Sequence, residues 1–178
     1  MGNNALREQV KMHTDFFYKC QFAIDNGFYL EAVFLEYSSI ESRLEVICGV
    51  LGLPCNKNLS PTLRKSIIIS SRIACINKIR NSNCEVFKKS KIDKLFFTKK
   101  GTLMTWIDNR NIYVHGLYKN AEKYNPRKKG LKQFANEGEL ITRHLYNEAK
   151  RLRRLKEKSP ELFDNINCPK KSICFEER

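Results

Sequence analysis

Residues 29–51, YLEAVFLEYSSIESRLEVICGVL, decide the fold class. Val33, Tyr37, Ile40, Leu44, Ile47 and Leu51 recur at spacings of three and four, the period of one face of an α-helix. Glu31, Glu36, Ser39 and Arg43 read as the opposite, polar face, and Gly52-Leu53-Pro54 stops the run. The same period recurs along the chain. Leu6 to Asn26 carries Val10, Phe17, Cys20 and Ile24 and ends at Asn26-Gly27. Ser60-Pro61 has the form of an N-cap followed by proline at the first helical position. A helix over Thr62–Arg80 follows, although Ile67-Ile68-Ile69 also suits a strand. Leu103–Tyr118 and Glu139–Lys158 complete the set, the latter with Leu140, Leu145, Ala149, Leu152 and Leu155 as its apolar positions. Lys123–Lys132, with Pro126 and Gly130, reads as a polar loop, and Lys88–Lys100 as a short helix and a loop. The expectation is an all-α protein, an antiparallel helical bundle of four to six helices. The helical domain spans 1–158, with a short C-terminal tail over 159–178.

The 178 residues include only 8 Gly and 5 Pro, which disfavours a turn-rich β sandwich, and the net charge is +14. That charge is uneven. Residues 1–60 carry 5 basic and 7 acidic side chains, residues 61–100 carry 11 and 2, and residues 101–178 carry 17 and 10. A surface this basic suits nucleic acid or an anionic membrane. No run of 18 apolar residues is present and residues 1–8 lack an apolar signal core, so neither a membrane span nor secretion is expected. Seven cysteines without a C-x-x-C pair fit a reducing cytoplasm. Cys20, Cys48 and Cys75 read as small core residues, while Cys168 and Cys174 lie in the tail without histidines at zinc-ligand spacing. No metal site and no cofactor is expected. His13 reads as a surface or semi-buried residue and His144 as part of a solvated face.

Asp108-Asn109-Arg110-Asn111-Ile112-Tyr113-Val114-His115 is the stretch that carries chemistry. It lies in a helix otherwise apolar and aromatic, with no Lys or Glu between Thr102 and Leu117. Asp108, Asn111, His115 and Tyr118 fall within a sector of about 80° at helical pitch, with Arg110 placed at its edge. Arginine can hold a phosphate and histidine can move a proton near neutral pH. The bland alternative is that His115 bonds a neighbouring helix and Arg110 pairs with Asp108 or Glu36.

Arg110-Asn111-Ile112-Tyr113-Val114-His115 resembles the R-x4-6-H motif of the HEPN superfamily, in the form where Asn follows the Arg. The motif's late position and the helix Phe34–Leu44 are also in the style of that family. The resemblance implies a metal-independent endoribonuclease, a homodimer with a composite active site, and a toxin–antitoxin or antiviral defence setting with an antitoxin or other partner protein. It implies that His115 transfers the proton, Arg110 neutralises the scissile phosphate, Asn111 orients one of them, and the RNA 2′-hydroxyl is the nucleophile. Some HEPN toxins carry Tyr two places after the His as a target of antitoxin modification. Here Tyr118 comes one place later. Glu36 is the candidate to hold Arg110 in one pose, with Asp108 and Tyr118 as further auxiliary residues. Lys88, Lys89, Lys91, Lys94, Lys99 and Lys100 are the candidate RNA contacts, with the interleaved Phe87, Phe96 and Phe97 read as core. The alternative is a non-catalytic HEPN-like RNA-binding or dimerisation module.

Overall fold

The structure, a computed structural model, describes residues 15–53, 61–82, 85–119, 129–164 and 166. Among them the protein is all-α, with six α-helices and no strand. α1 covers residues 15–25. It is followed by α2 (Tyr29–Val50), α3 (Pro61–Asn81), a 3₁₀ turn (Glu85–Phe87), α4 (Thr102–Lys119), α5 (Lys129–Lys158) and α6 (Glu161–Asp164).

Helix ends follow local chemistry. Pro61 opens α3, where its missing N–H would have no intrahelical partner. α1 and α2 both end in a glycine at positive φ, Gly27 at 79° and Gly52 at 70°. After α1, Phe28 N–H donates to Ala23 O at 2.7 Å and Gly27 N–H to Ile24 O at 3.2 Å. After α2, Leu53 N–H donates to Cys48 O at 2.9 Å and Gly52 N–H to Gly49 O at 3.3 Å. These are paired Schellman closures, which need a residue free of the Cβ clash.

Two sequence expectations are corrected. α5 starts at Lys129, ten residues before Glu139, and runs through Gly130. Its buried positions Leu131, Phe134, Ala135, Ile141, Thr142, Leu145, Glu148, Ala149 and Leu152 form one continuous stripe. Leu140 stands off that stripe and is 57% exposed. The polar residues of α2 are also not on an opposite face. Glu36, Ser39 and Arg43 are buried with Val33, Ile40 and Ile47. Positions 36 and 43 are seven apart, so helical pitch returns them to the same side. Ile69 lies within α3 and is buried, so the triple isoleucine is helical.

The chain divides into two compact units, residues 1–39 with 106–142 and residues 40–105 with 143–178. In the first, the core comes from Cys20, Ala23 and Ile24 of α1, Ala32 and Val33 of α2, Trp106 and Ile107 of α4, and Leu131, Phe134 and Ala135 of α5. In the second, Ile40, Leu44, Ile47, Ile73, Ile76, Leu145 and Leu152 are buried with Phe87, Phe96 and Phe97. α6 belongs to this unit, packs on the 3₁₀ turn and buries Phe163. Residues 83–84 lie outside the described residues, as do His13, Cys55, Cys168 and Cys174. Cys20 and Cys48 are buried free thiols, and Cys75 is half-buried.

Substituting Gly27→Ala or Gly52→Ala is expected to lower stability by about 1 kcal/mol each, because neither closure tolerates a Cβ. Urea unfolding of the single variants checks this, and a gain in stability would contradict the closures.

Candidate functional site

α4 buries Leu103, Trp106 and Ile107 and exposes Thr105, Asp108, Asn109, Ile112 and His115. Trp106 fixes which way the helix is turned. Its ring stacks on Phe134 of α5 at 5.0 Å, with 17° between planes. Its indole N–H donates to Phe134 O at 3.1 Å. Tyr113, two turns on, also meets Phe134, at 5.0 Å. With that flank fixed against α5, Asp108 and His115 must point outward.

Arg110 is one turn after Trp106 and leaves the helix from the buried side. Its guanidinium lies 4.1 Å from the Tyr37 ring and 5.4 Å from the Phe34 ring, both on α2. Its Nη1 donates to Asn111 Oδ1 at 3.0 Å, and its buried Nε–H has no acceptor. This corrects the placement of Arg110 at the edge of the Asp108–His115 sector. Five residues at helical pitch separate Arg110 from His115 by about 140°. Arg110 and Asn111 are thus bonded to each other, and His115 stands apart from Arg110 on the exposed flank. Tyr118 lies on the last turn of α4, and its side chain falls outside the described residues.

Glu36 does not hold Arg110. It is 0% exposed, and both carboxyl oxygens lack a hydrogen-bond partner. Burial, and then the nearby Glu139 carboxylate, push its pKa up to about 9, so the group is a neutral acid at pH 7. Arg110 instead spends its charge on the aromatic faces and on Asn111. What Glu36 meets is α5. A Cβ on Gly138 would collide with Glu36 Oε2 and come within 2.6 Å of Trp106 Cζ2. Gly138 is therefore the residue that lets α5 approach both α2 and α4 here. The Cys20 thiol in the same unit is pushed up to about 12 by burial, then by Glu36 and Glu139, which leaves it unreactive.

The basic segment belongs to the second unit. Lys88, Lys89, Lys91, Lys94, Lys99 and Lys100 are all exposed. Phe87, Phe96 and Phe97 are core, at 6%, 5% and 1% exposure. The segment is not a helix after Lys88. A 3₁₀ turn is followed by turns closed by Ser90 N–H to Phe87 O, Phe96 N–H to Asp93 O and Thr98 N–H to Leu95 O. Burying three phenylalanines at uneven spacing does not suit one helical face. Lys88 pairs with Glu85, and the exposed His144 meets Phe96 edge-on with ring centres 6.4 Å apart.

Among the described residues, no three His, Cys, Asp or Glu side chains are grouped to hold a metal, and no helix is long and apolar enough to cross a membrane. No family model, curated protein or solved structure matches the chain. What stands is an all-α protein carrying an arginine fixed on two rings and a histidine on an open helix flank.

Sequence reasoning missed Gly138 and the burial of Glu36. The signal was there in the spacing Leu131, Phe134/Ala135, Gly138, Ile141/Thr142, a run that Gly130 and Pro126 obscured.

Two outcomes follow for this site. Glu36 ionises at its ordinary pKa when unfolded and near 9 when folded. Its contribution is therefore whole below about pH 4.5 and is lost as pH rises through about 9. Glu36→Gln removes that loss. Its stability relative to the parent should climb between those limits, by at most about 1.4 kcal/mol per pH unit, and stay flat below them. A variant less stable than the parent at pH 8 would mean that Glu36 is ionised and paired. Gly138→Ala should destabilise by about 1–3 kcal/mol through overpacking, despite alanine's better helix propensity. Thermal melts read this directly, and an unchanged or raised Tm would refute the close approach.

Proposed function

We propose that the protein is a metal-independent endoribonuclease whose site is completed by a second copy of the chain. The observation that carries this reading is the exposure of His115. A histidine with a purely structural role would be enclosed by its own core, whereas this one stands on an open flank beside Ile112, itself 57% exposed. Arg110 and His115 diverge on one α4. Both reach one phosphate only if Arg110 leaves Tyr37 or a second copy supplies one of the pair.

His115 accepts the proton of an RNA 2′-hydroxyl as its oxygen attacks the adjacent phosphorus. The P–O5′ bond breaks, the 5′-oxygen takes a proton, and a 2′,3′-cyclic phosphate remains. Arg110 neutralises the charge that develops on the phosphoryl oxygens. Asn111, already bonded to the guanidinium at 3.0 Å, keeps its fork oriented. DNA lacks the nucleophile and is inert by this route. Support for a cytoplasmic toxin or antiviral effector, paired with an antitoxin or other defence protein, comes from the motif's resemblance alone.

A second reading has its own observation. Arg110 faces the Tyr37 and Phe34 rings and not His115, which suits a non-catalytic RNA-binding or dimerisation module. Cleavage of total RNA in EDTA separates the two. Under the first reading the parent leaves cyclic-phosphate ends, and His115→Ala loses about 10²–10⁴ of the rate with stability changed by less than about 0.5 kcal/mol. Arg110→Lys also fails, because an ammonium cannot reproduce the planar fork. A parent that binds RNA in a salt-sensitive way but never cuts it, with both variants binding equally, establishes the module instead.

A further inference from the structure

In the second unit, the end of α3, the 3₁₀ turn and the segment after it enclose a cleft of about 920 Å³. That lies within the range of about 300–1,000 Å³ typical of small-ligand sites. Among the described residues its lining includes Arg80, Lys88 and Lys94 beside the one acid Asp93, with Phe87 and Ile92 as apolar surface. Arg80 is the unusual member. It lies seven residues after the buried Ile73 and four after the buried Ile76, so helical pitch turns it toward the inner side of α3, where it is half-exposed. Its guanidinium lies 5.8 Å from the Phe87 ring and its Nη2 donates to Ile92 O. Its Nη1 is buried and has no acceptor.

The carboxylates near Arg80 are already engaged. Glu148 is 3% exposed and is held by Arg151 through two bonds, Nε at 2.9 Å and Nη2 at 2.6 Å. Asp93 Oδ1 accepts the Leu95 N–H at 2.7 Å. Burial lowers the Arg80 pKa, Arg151 adds to that, and Glu148 and Asp93 only partly oppose it. Lys88 is tied to Glu85 in an exposed pair, which a stronger anion can displace at little cost. The cleft therefore has an excess of cations, a guanidinium short of one acceptor, and an apolar wall.

We propose that this cleft holds one phosphate of a single-stranded RNA with its attached nucleoside, Arg80 gripping the phosphate and Lys94 and Lys88 flanking it. The proposal rests on the RNA reading above, but not on cleavage, since it uses no residue of α4. Phosphate oxygens supply the acceptor Arg80 lacks. The concave shape and the Ile92 wall suit an unstacked nucleotide, which a duplex does not offer. The substrate class is thus single-stranded RNA.

The test measures binding of a fluorescein-labelled ten-nucleotide RNA by polarisation, alone and annealed to its complement. Parent, Arg80→Lys, Lys94→Ala and a control, Lys78→Ala on α3 outside the cleft lining, are compared at several salt concentrations. Arg80→Lys keeps the charge and guards against loss of the fold, which circular dichroism checks. The expected result is at least about tenfold tighter binding of the single strand than the duplex. Arg80→Lys should weaken it about tenfold, as for a lost charged fork. Lys94→Ala should reduce the salt slope by about 0.7, with Lys78→Ala close to the parent. Equal binding by all four proteins, or equal binding of strand and duplex, overturns the cleft while leaving the RNA reading in place. No RNA binding at low salt overturns both.

Discussion

Gly138 brings α5 against Glu36 of α2 and Trp106 of α4 at a separation that no side chain would permit. Much of the first unit follows from that approach. It seals Glu36 from water without providing a hydrogen-bond partner, so the carboxyl is kept as a neutral acid. It seats Trp106 flat on Phe134, with the indole N–H closed onto the Phe134 carbonyl. That pair sets the rotation of α4 about its own axis. Helical pitch then leaves no freedom. Arg110 goes to the side of α2, where Tyr37 and Phe34 receive it, and His115 goes outward.

The helices were legible because their buried stripes are long. α2 repeats its apolar period over its whole length, and α4 needs only Leu103, Trp106 and Ile107 to declare its inner face. The rotation of polar residues on those helices was harder to read. Glu36 and Arg43 look like an outer face only if polarity is equated with exposure. Their seven-residue spacing puts them on the inner side, where Arg43 is covered by the Tyr146 ring at 5.5 Å. The start of α5 was hidden for a different reason. Gly130 and Pro126 are breakers by composition, but a glycine near a helix start costs only about 1 kcal/mol, less than burial of Leu131 and Phe134 supplies.

The site was legible as a list of residues and not as an arrangement. Arg110, Asn111 and His115 stand out because an apolar helix has no ordinary use for them. The spacing that makes the motif visible also separates its ends by about 140°. In the basic segment the division between lysines and phenylalanines follows from hydrophobicity alone, and the structure has it so. Arg80 could not be singled out that way. Its environment is made by Ile92, Phe87 and the Glu148–Arg151 pair, positions scattered over some seventy residues of sequence.

The stacked pose of Arg110 bears on both readings of the helix. A guanidinium over two half-exposed rings is held by about 0.5–2 kcal/mol of cation–π attraction, plus one hydrogen bond to Asn111. Hydrogen bonds to a charged phosphate contribute about 1.5–3 kcal/mol each, and a bidentate pair makes two. A phosphate approaching α4 therefore offers Arg110 more than it must give up. The unsatisfied Nε–H adds to the imbalance, since the present pose leaves one donor unused. The two rings keep the guanidinium on α2 without a carboxylate. An arginine built only to brace α2 against α4 would be expected to end on a carboxylate, and the fully buried carboxyl of Glu36 accepts no hydrogen bond from it.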